Sequence, residues 1–110
     1  MEPITFDEFK KAQIKIGTIL SVEKVPDADK LLKLMINLGE ENPRQILSGI
    51  AMYYPDPSVL VGKQVPVLAN LPVRTIRGFE SQGMVLYIVG EDFLTTLSPS
   101  GEVPPGTPIQ

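Results

Sequence analysis

The sequence predicts a small all-β barrel, with residues 1–110 forming one domain. Three observations lead to this fold class. The chain has 110 residues, which is close to the usual size of one domain. Five short apolar runs rich in β-branched residues recur along it, and glycines or prolines separate them. Helical patterns are few and short, which argues against βαβ units and helix bundles and favours a five-stranded Greek-key barrel.

The predicted elements begin with a short helix. Thr5 and Glu8 have the spacing of a capping box, and the helix is expected to end near Lys11. A brief helical turn is expected at 58–61, just after a proline. The five predicted strands cover residues 14–22, 31–38, 44–50, 63–71 and 84–89.

Glycine and proline give three further expectations. Gly17 interrupts the first strand and is expected to mark a bend or bulge. Pro66 cannot donate to a β-ladder, so it is expected at a sheet edge or a bulge. The tail from Leu97 to Gln110 holds four prolines and two glycines, so it is expected to be either extended coil or short edge strands. Barrels of the OB type use a sheet face and flanking loops to bind oligonucleotides or oligosaccharides, although a fold alone does not assign a function.

Composition argues against most catalytic chemistry. The chain has no cysteine and no histidine, which removes thiol nucleophiles, zinc ribbons and the commonest general base. Neighbouring carboxylates such as Asp27 and Asp29 lie in polar loops, where they are typical of solvated turns rather than of acid-base pairs. The glycines form neither a G-x-G-x-x-G nor a Walker-type loop. We therefore expect no catalytic residues, no metal site, no cofactor and no enzymatic activity.

Charge and hydropathy constrain the partners. The net charge of −3 argues superficially against a nucleic acid, but residues 44–90 hold four bases and only two acids. This middle segment permits a basic face, although scattered surface charge explains it equally well. No apolar run approaches the ~20 residues of a membrane span, and the first residues lack a signal-peptide layout. A cytoplasmic protein without a membrane partner is the simplest expectation.

Four short motifs follow one another along the chain: Asp27–Leu32, Ile46–Ala51, Ala69–Leu71 and Gly78–Met84. In this order and spacing they resemble the tRNA-binding domain family. That family includes the C-terminal domains of many bacterial methionyl-tRNA synthetases, free-standing structure-specific tRNA-binding proteins and synthetase-associated cofactors. The resemblance implies a five-stranded OB-fold barrel with short helices and terminal extensions. It also implies a homodimer that binds the folded corner of tRNA by shape, with an aminoacyl-tRNA synthetase as a possible further partner.

The resemblance also implies which residues contact tRNA. Recognition of RNA by shape needs donors to phosphate and 2′-hydroxyl groups more than readers of base edges. Lysine and arginine supply charge, serine a hydroxyl, asparagine an amide, glycine close backbone approach and methionine an apolar contact. Each also has an ordinary structural reading, as a solvated charge, a bend, a backbone partner or a core residue. The nine candidates are Lys30, Ser48, Gly49, Asn70, Arg74, Arg77, Ser81, Gly83 and Met84.

Two features depart from the family pattern. Pro72 comes one place early, and Thr75 stands where the second of two adjacent basic residues is usual. One phosphate contact is therefore expected to be lost, and Arg77 can replace it from a neighbouring position. Aromatic content is only 6%, so tRNA-shape binding is expected over single-strand binding. The candidates for stacking on bases are Tyr53, Tyr54, Phe79 and Tyr87.

A second function class remains open. A relative of the family with the same dimeric fold is a secretion-related chaperone that binds peptides. That relative resembles this chain less well at the Asp27–Leu31 and Ser81–Met84 motifs. Binding of tRNA is therefore the first expectation and peptide binding the alternative.

Overall fold

A nearly closed five-stranded antiparallel barrel forms the centre of the molecule, as the computed structural model of residues 1–110 shows. This architecture confirms the predicted all-β fold class. The strands are β1 (Ile14–Lys24), β2 (Leu32–Asn37), β3 (Arg44–Ser48), β4 (Gln64–Leu68), β5 (Arg74–Ile76), β6 (Phe79–Ser81), β7 (Met84–Val85), β8 (Tyr87–Val89), β9 (Leu94–Thr96) and β10 (Pro108–Ile109). The main sheet has the order β3-β2-β1-β4-β7. Hydrogen bonds from the backbone N–H groups of Gln82 to Gln45 O and of Leu47 to Ser81 Oγ connect β3 to the segment before β7 and bring the sheet close to closure.

One α-helix, α1 (Phe6–Lys11), precedes the barrel. Its capping box is confirmed: Glu8 donates its backbone N–H to Thr5 Oγ1, and Thr5 N–H donates to Glu8 Oε1, each at 3.0 Å. The predicted helical turn is a 3₁₀ turn at Pro57–Leu60, and another lies at Ala51–Tyr53. None of the helices combines the length and the apolar character needed to cross a membrane.

The bulge in β1 lies at Leu20, not at Gly17, because the pairing of β1 with β2 shifts register between Ile19 and Ser21. The predicted bend at Gly17 is therefore wrong. Gly17 pairs regularly with Val65, and a β-carbon there would lie 2.5 Å from Cγ2 of Ile36. The glycine thus allows close packing across the barrel.

Pro66 lies in an interior strand, so its predicted position at an edge or bulge is wrong. It pairs with Ile16 across the β1–β4 ladder, and Ile16 directs both backbone groups to the other side, toward Gly106 and Thr107. Ile16 and Pro66 therefore form a non-hydrogen-bonded antiparallel pair, in which the backbone N–H and C=O groups of both residues point away from each other. The ring nitrogen of Pro66 therefore points away from β1, on the side where its carbonyl accepts from Leu86 N–H.

The other predicted strands agree with β1 to β4 within a few residues, whereas the fifth is divided at Leu86 into β7 and β8. Two short hairpins, β5–β6 and β8–β9, were not predicted. The barrel interior is filled by twelve buried residues: Ile19, Leu32, Leu34, Ile36, Leu38, Ile46, Ile50, Leu60, Val65, Val67, Ala69 and Val85. Each fully buried leucine or isoleucine stabilises the fold by about 1.5–3 kcal/mol.

The tail ends in a short edge strand, as one alternative predicted, while residues 97–107 contain no strand or helix. Strand β10 pairs with β1, and Ile16 donates its N–H to Thr107 O at 2.8 Å. The side chain of Gln64 donates to Val103 O at 2.7 Å and accepts from Val103 N–H at 3.0 Å. The last strand thus extends the edge of β1 that β2 leaves unpaired.

Candidate nucleic-acid interface

The β5–β6 hairpin carries both candidate arginines. Its two-residue turn is Arg77-Gly78, and both residues have positive φ, 52° and 82°, as a type I′ turn requires. Arg74 lies directly opposite Ser81, while Ile76 and Phe79 pack on a small apolar cluster beside the barrel. The sequence pattern missed this hairpin because each strand has only three residues. Arginine also replaces the asparagine or aspartate that usually opens such a turn.

A groove of about 380 Å³ lies between this hairpin, the end of β3 and strands β7 and β8. Much of its lining is apolar and includes Leu31, Ile50, Leu71, Val85 and Leu94. The groove brings together six of the nine predicted residues: Ser48, Gly49, Arg74, Ser81, Gly83 and Met84.

A smaller depression adjoins the groove and contains the two other basic candidates. Lys30 and Arg77 line it together with Asp27 and Asp29. Leu31 lines both the depression and the groove, so the two form neighbouring parts of one surface. Eight of the nine candidates therefore lie on this surface, which we call the groove face.

Asn70 lies outside the groove face. Its amide Nδ2 donates to Lys11 O at 2.6 Å, and its Oδ1 accepts from Gln13 N–H at 2.9 Å. Both polar atoms of the side chain thus connect the end of β4 to the segment after α1. This is the backbone-partner role that the sequence left open for an asparagine.

The two candidate serines are buried and bonded within the fold. Ser81 Oγ accepts from Leu47 N–H at 3.0 Å and donates to Gly83 O at 3.3 Å, so its hydrogen-bonding capacity serves the barrel closure. Ser48 Oγ accepts from the hydroxyl of Tyr87 at 2.9 Å. Burial raises the pKa of the Tyr87 phenol to about 12, despite the opposing effect of this hydrogen bond, so Tyr87 stays protonated at neutral pH. Tyr87 is a groove residue that the candidate list did not include.

The remaining candidates divide between the fold and the surface. Gly83 has a φ of 144°, and a β-carbon there would lie 3.1 Å from Leu68 O, so the backbone itself requires glycine. Gly49 is exposed and has open space beside it. Met84 is 45% exposed, which makes it an apolar contact surface instead of a core residue.

Three cations on the groove face have no ion-pair partner: Lys30, Arg74 and Arg77 are exposed, and the ion pairs of the molecule lie elsewhere. Thr75 and Glu80 form the neighbouring cross-strand pair, so Glu80 is on the opposite face of the hairpin from Arg74. Asp27 and Asp29 are the acids closest to the other two cations, since they line the same depression. The positive charge is therefore least compensated at Arg74.

Arg44 does not contribute to this charge. It donates to both carboxylate oxygens of Glu40 at 2.8 Å and also to the carbonyls of Ala69 and Gln82. These bonds with Glu40 raise the pKa of Arg44, and the hydrogen bond from Arg44 lowers the pKa of Glu40. Arg44 thus acts as a structural bridge between β3 and the neighbouring loops.

Comparison with known proteins assigns the family. A family model described as "Putative tRNA binding domain" matches residues 14–108. The chain belongs to the tRNA-binding domain family. It is 50% identical over 109 residues to methionine–tRNA ligase of Methanosphaerula palustris, covering 99% of this chain and 16% of that protein. It is 46% identical over 106 residues to the corresponding ligase of Thermotoga maritima, covering 96% and 16%. This tRNA-binding domain therefore spans about a sixth of the length of these relatives.

Solved structures of this family have the same fold. A methionyl-tRNA synthetase-related protein from Pyrococcus horikoshii matches with a TM-score of 0.92 and 36% identity, covering 100% of both chains. The chaperone CsaA from Bacillus anthracis matches with a TM-score of 0.88 and 31% identity, covering 99% of this chain and 100% of that one. The tRNA-binding domain thus resembles chains of its own length as well as segments of long ligases.

Proposed function

We propose that this domain binds folded tRNA through the groove face, recognises its shape and catalyses no reaction. The observation that carries the proposal is the apolar groove with the depression beside it, which together carry Lys30, Arg74 and Arg77, cations without ion-pair partners. Unpaired cations on such a surface are free to release counterions when they meet phosphates, and apolar lining suits sugars and bases.

Support for a binding role comes from the family. The description of the matching family model names tRNA binding and no reaction, and this chain spans only 16% of the Methanosphaerula palustris ligase. A ligase reaction is therefore the property of a much longer protein. We propose that the domain assists such a synthetase, either attached to it or as a separate subunit. Its location in the cytoplasm stays a prediction.

Peptide binding is the second candidate function. It is favoured by the likeness to two solved chaperones, from Bacillus anthracis and Picrophilus torridus, and by the apolar lining of the groove. Salt separates the two functions. Affinity for RNA falls steeply as salt rises, because counterions compete for phosphates, whereas capture of an apolar peptide hardly weakens.

The test of shape recognition is a filter-binding comparison of folded tRNA, unfolded tRNA and single-stranded RNA of equal length. We expect the folded tRNA to bind most tightly, with an affinity that falls linearly on a log–log plot against salt. Equal binding of all three RNAs would contradict shape recognition. The chaperone function would be favoured by two results together: weak binding of every RNA, and binding of an apolar peptide that does not change with salt.

We also propose that the domain is a homodimer. Phe6 and Phe9 of α1 border a second groove, of about 450 Å³, together with Pro108 and Ile109 of the tail. Phe6 is 72% exposed, so a second copy that covers this surface would remove substantial apolar area from water. This terminal surface shares no residue with the groove face. Dimerisation there leaves both RNA sites accessible.

Light scattering at micromolar concentration tests the dimer. A mass of twice 12.1 kDa is expected, and Ile109→Glu should reduce it to the mass of one chain. Ile88→Glu is the matched control, since Ile109 is 40% exposed and Ile88 on β8 is 44% exposed. A single-chain mass for the unaltered protein would refute the dimer.

A further inference from the structure

The hydroxyl of Ser48 has one unused hydrogen-bonding capacity, and it borders the groove. Tyr87 donates to Ser48 Oγ at 2.9 Å, and both residues line the groove. A phenol is a better donor than an aliphatic hydroxyl, which supports this direction of the bond. Ser48 makes no other side-chain hydrogen bond, so its own O–H has no acceptor within the protein.

Ser48 is 7% exposed and lines the groove, and its bond to Tyr87 restricts how its hydroxyl turns. The bond to Tyr87 occupies one lone pair, which leaves the O–H to point in another direction. Because the phenol pKa is about 12, the constraint persists across the pH range in which RNA is stable. The result is a single O–H donor whose oxygen is held in place by the hydrogen bond from Tyr87.

The surroundings of Ser48 select a neutral acceptor. Its neighbours in the groove include Leu47, Ile50 and Val85, and Arg74 is the one cation in the lining. A phosphate oxygen placed among apolar side chains would lose hydration without full compensation, whereas a sugar hydroxyl carries no charge. Among the groups of RNA, the ribose 2′-hydroxyl is the neutral acceptor that is also absent from DNA.

We propose that Tyr87 is a positioning residue that holds Ser48 so that its hydroxyl donates to a ribose 2′-hydroxyl oxygen of bound tRNA. The inference rests on the proposed function, because it names the group that the groove recognises. It separates two tasks on one surface: the cations contact phosphates and provide affinity, while the pair of hydroxyls distinguishes ribose from deoxyribose.

The experiment measures binding to tRNAs in which successive blocks of nucleotides carry 2′-deoxyribose, with the unaltered protein and five variants. For the unaltered protein, one block should weaken binding about 3- to 10-fold, as loss of one neutral hydrogen bond does. Ser48→Ala and Tyr87→Phe should weaken binding to unmodified tRNA and abolish the effect of that block. The double variant should lose no more than Ser48→Ala alone, since the two hydroxyls act as a unit.

Tyr54→Phe is the matched control, because it removes a partly buried phenol that packs on the same core without bonding Ser48. It should remain sensitive to the deoxyribose block. The urea midpoint of every variant shows whether the fold is retained, and Ser48→Thr, which keeps a hydroxyl, should restore sensitivity to the block.

Three results would overturn the inference while leaving tRNA binding established. The first is undiminished sensitivity to every block in Ser48→Ala or Tyr87→Phe. The second is equal binding of the unaltered protein to unmodified tRNA and to every tRNA with a deoxyribose block, which would assign the acceptor to a group other than the 2′-hydroxyl. The third is a loss in Tyr87→Phe matched by Tyr54→Phe. Failure of the unaltered protein to bind any tRNA would instead refute the proposed function itself.

Discussion

Arg74 lies directly opposite Ser81 in the β5–β6 hairpin, so an exposed guanidinium and a buried hydroxyl occupy the same face of one two-stranded ribbon. Ser81 fixes the ribbon to β3 through Leu47 N–H. The arginine is therefore attached to the barrel by its cross-strand partner, which limits where its side chain can reach.

The pair Arg74 and Arg77 should supply a large part of the affinity for tRNA. Replacing both with alanine removes two charge-assisted donors, each worth on the order of 1.5–3 kcal/mol before compensation by water, and the salt slope should fall by about two units. Filter binding over a salt series measures both effects. Lys11→Ala with Lys63→Ala makes the same charge change at exposed sites that border neither groove, and should have little effect. Equal losses from the two double variants would indicate diffuse electrostatics.

Arg77→Asn should stabilise the protein while weakening tRNA binding. Arg77 has a φ of 52°, a conformation in which asparagine is much more favourable than arginine at the first position of a type I′ turn. The free energy of unfolding should rise by about 1 kcal/mol, the low end of the cost of a non-glycine residue in this backbone region. Urea denaturation measures it. Arg74→Asn is the control, because Arg74 lies within a strand, where asparagine is unfavourable. A destabilised Arg77→Asn would show that the turn is not strained.

Asn70→Ala should act on stability before it acts on RNA. The substitution removes two side-chain hydrogen bonds to the backbone of Lys11 and Gln13, each worth about 0.5–1.5 kcal/mol. We expect a lower urea midpoint and, at temperatures where the variant is folded, nearly unchanged tRNA affinity. Asn42→Ala, at an exposed loop position, should leave both quantities unchanged. If Asn70→Ala were as stable as the unaltered protein but bound tRNA more weakly, Asn70 would be assigned to the tRNA interface.

Glu40 should make the free energy of unfolding depend on pH in the acidic range. Arg44 lowers the pKa of Glu40 below 4.5, mainly through its hydrogen bond, so the folded state favours the carboxylate. That contribution is present above pH 4.5 and is lost as the pH falls through the lowered value. Glu40→Gln should remove this part of the pH dependence, at most about 1 kcal/mol for a surface pair. Urea midpoints at pH 7 and pH 3 test it, with the exposed neighbour Glu41→Gln expected to behave as the unaltered protein.

The barrel could be predicted from the sequence because its strands carry regular patterns. In β2, buried Leu32, Leu34 and Ile36 alternate with more exposed residues, and apolar residues recur at every second position of the sequence there. The β5–β6 hairpin could not, because its stability depends on contacts with distant parts of the chain such as Leu47. The position of Pro66 likewise depended on which edge of β4 faces β1, and single-strand patterns do not contain that information.

The candidate site was predictable to a similar extent. The motifs and the segment between the last two supplied nine candidates, and eight of these lie on one surface, although the chain separates Lys30 from Met84 widely. They did not distinguish side chains that bond the fold, such as those of Ser81 and Asn70, from those that face solvent. That difference is set by tertiary hydrogen bonds. Tyr87 was named only as a candidate for stacking on bases, because its bond to Ser48 joins strands far apart in sequence.

The pairing of Ile16 with Gly106 and Thr107 also determines when the open edge of β1 is covered during synthesis. A ribosome makes Ile16 well before the partners of its backbone groups, Gly106 and Thr107. Until then one edge of the longest strand is open. The first strand must therefore wait for the last, and contacts of such wide sequence separation fold slowly. The barrel can close earlier, through the bonds of β3 to Ser81 and Gln82, but this edge of β1 stays vulnerable to aggregation until residues 106 and 107 are made.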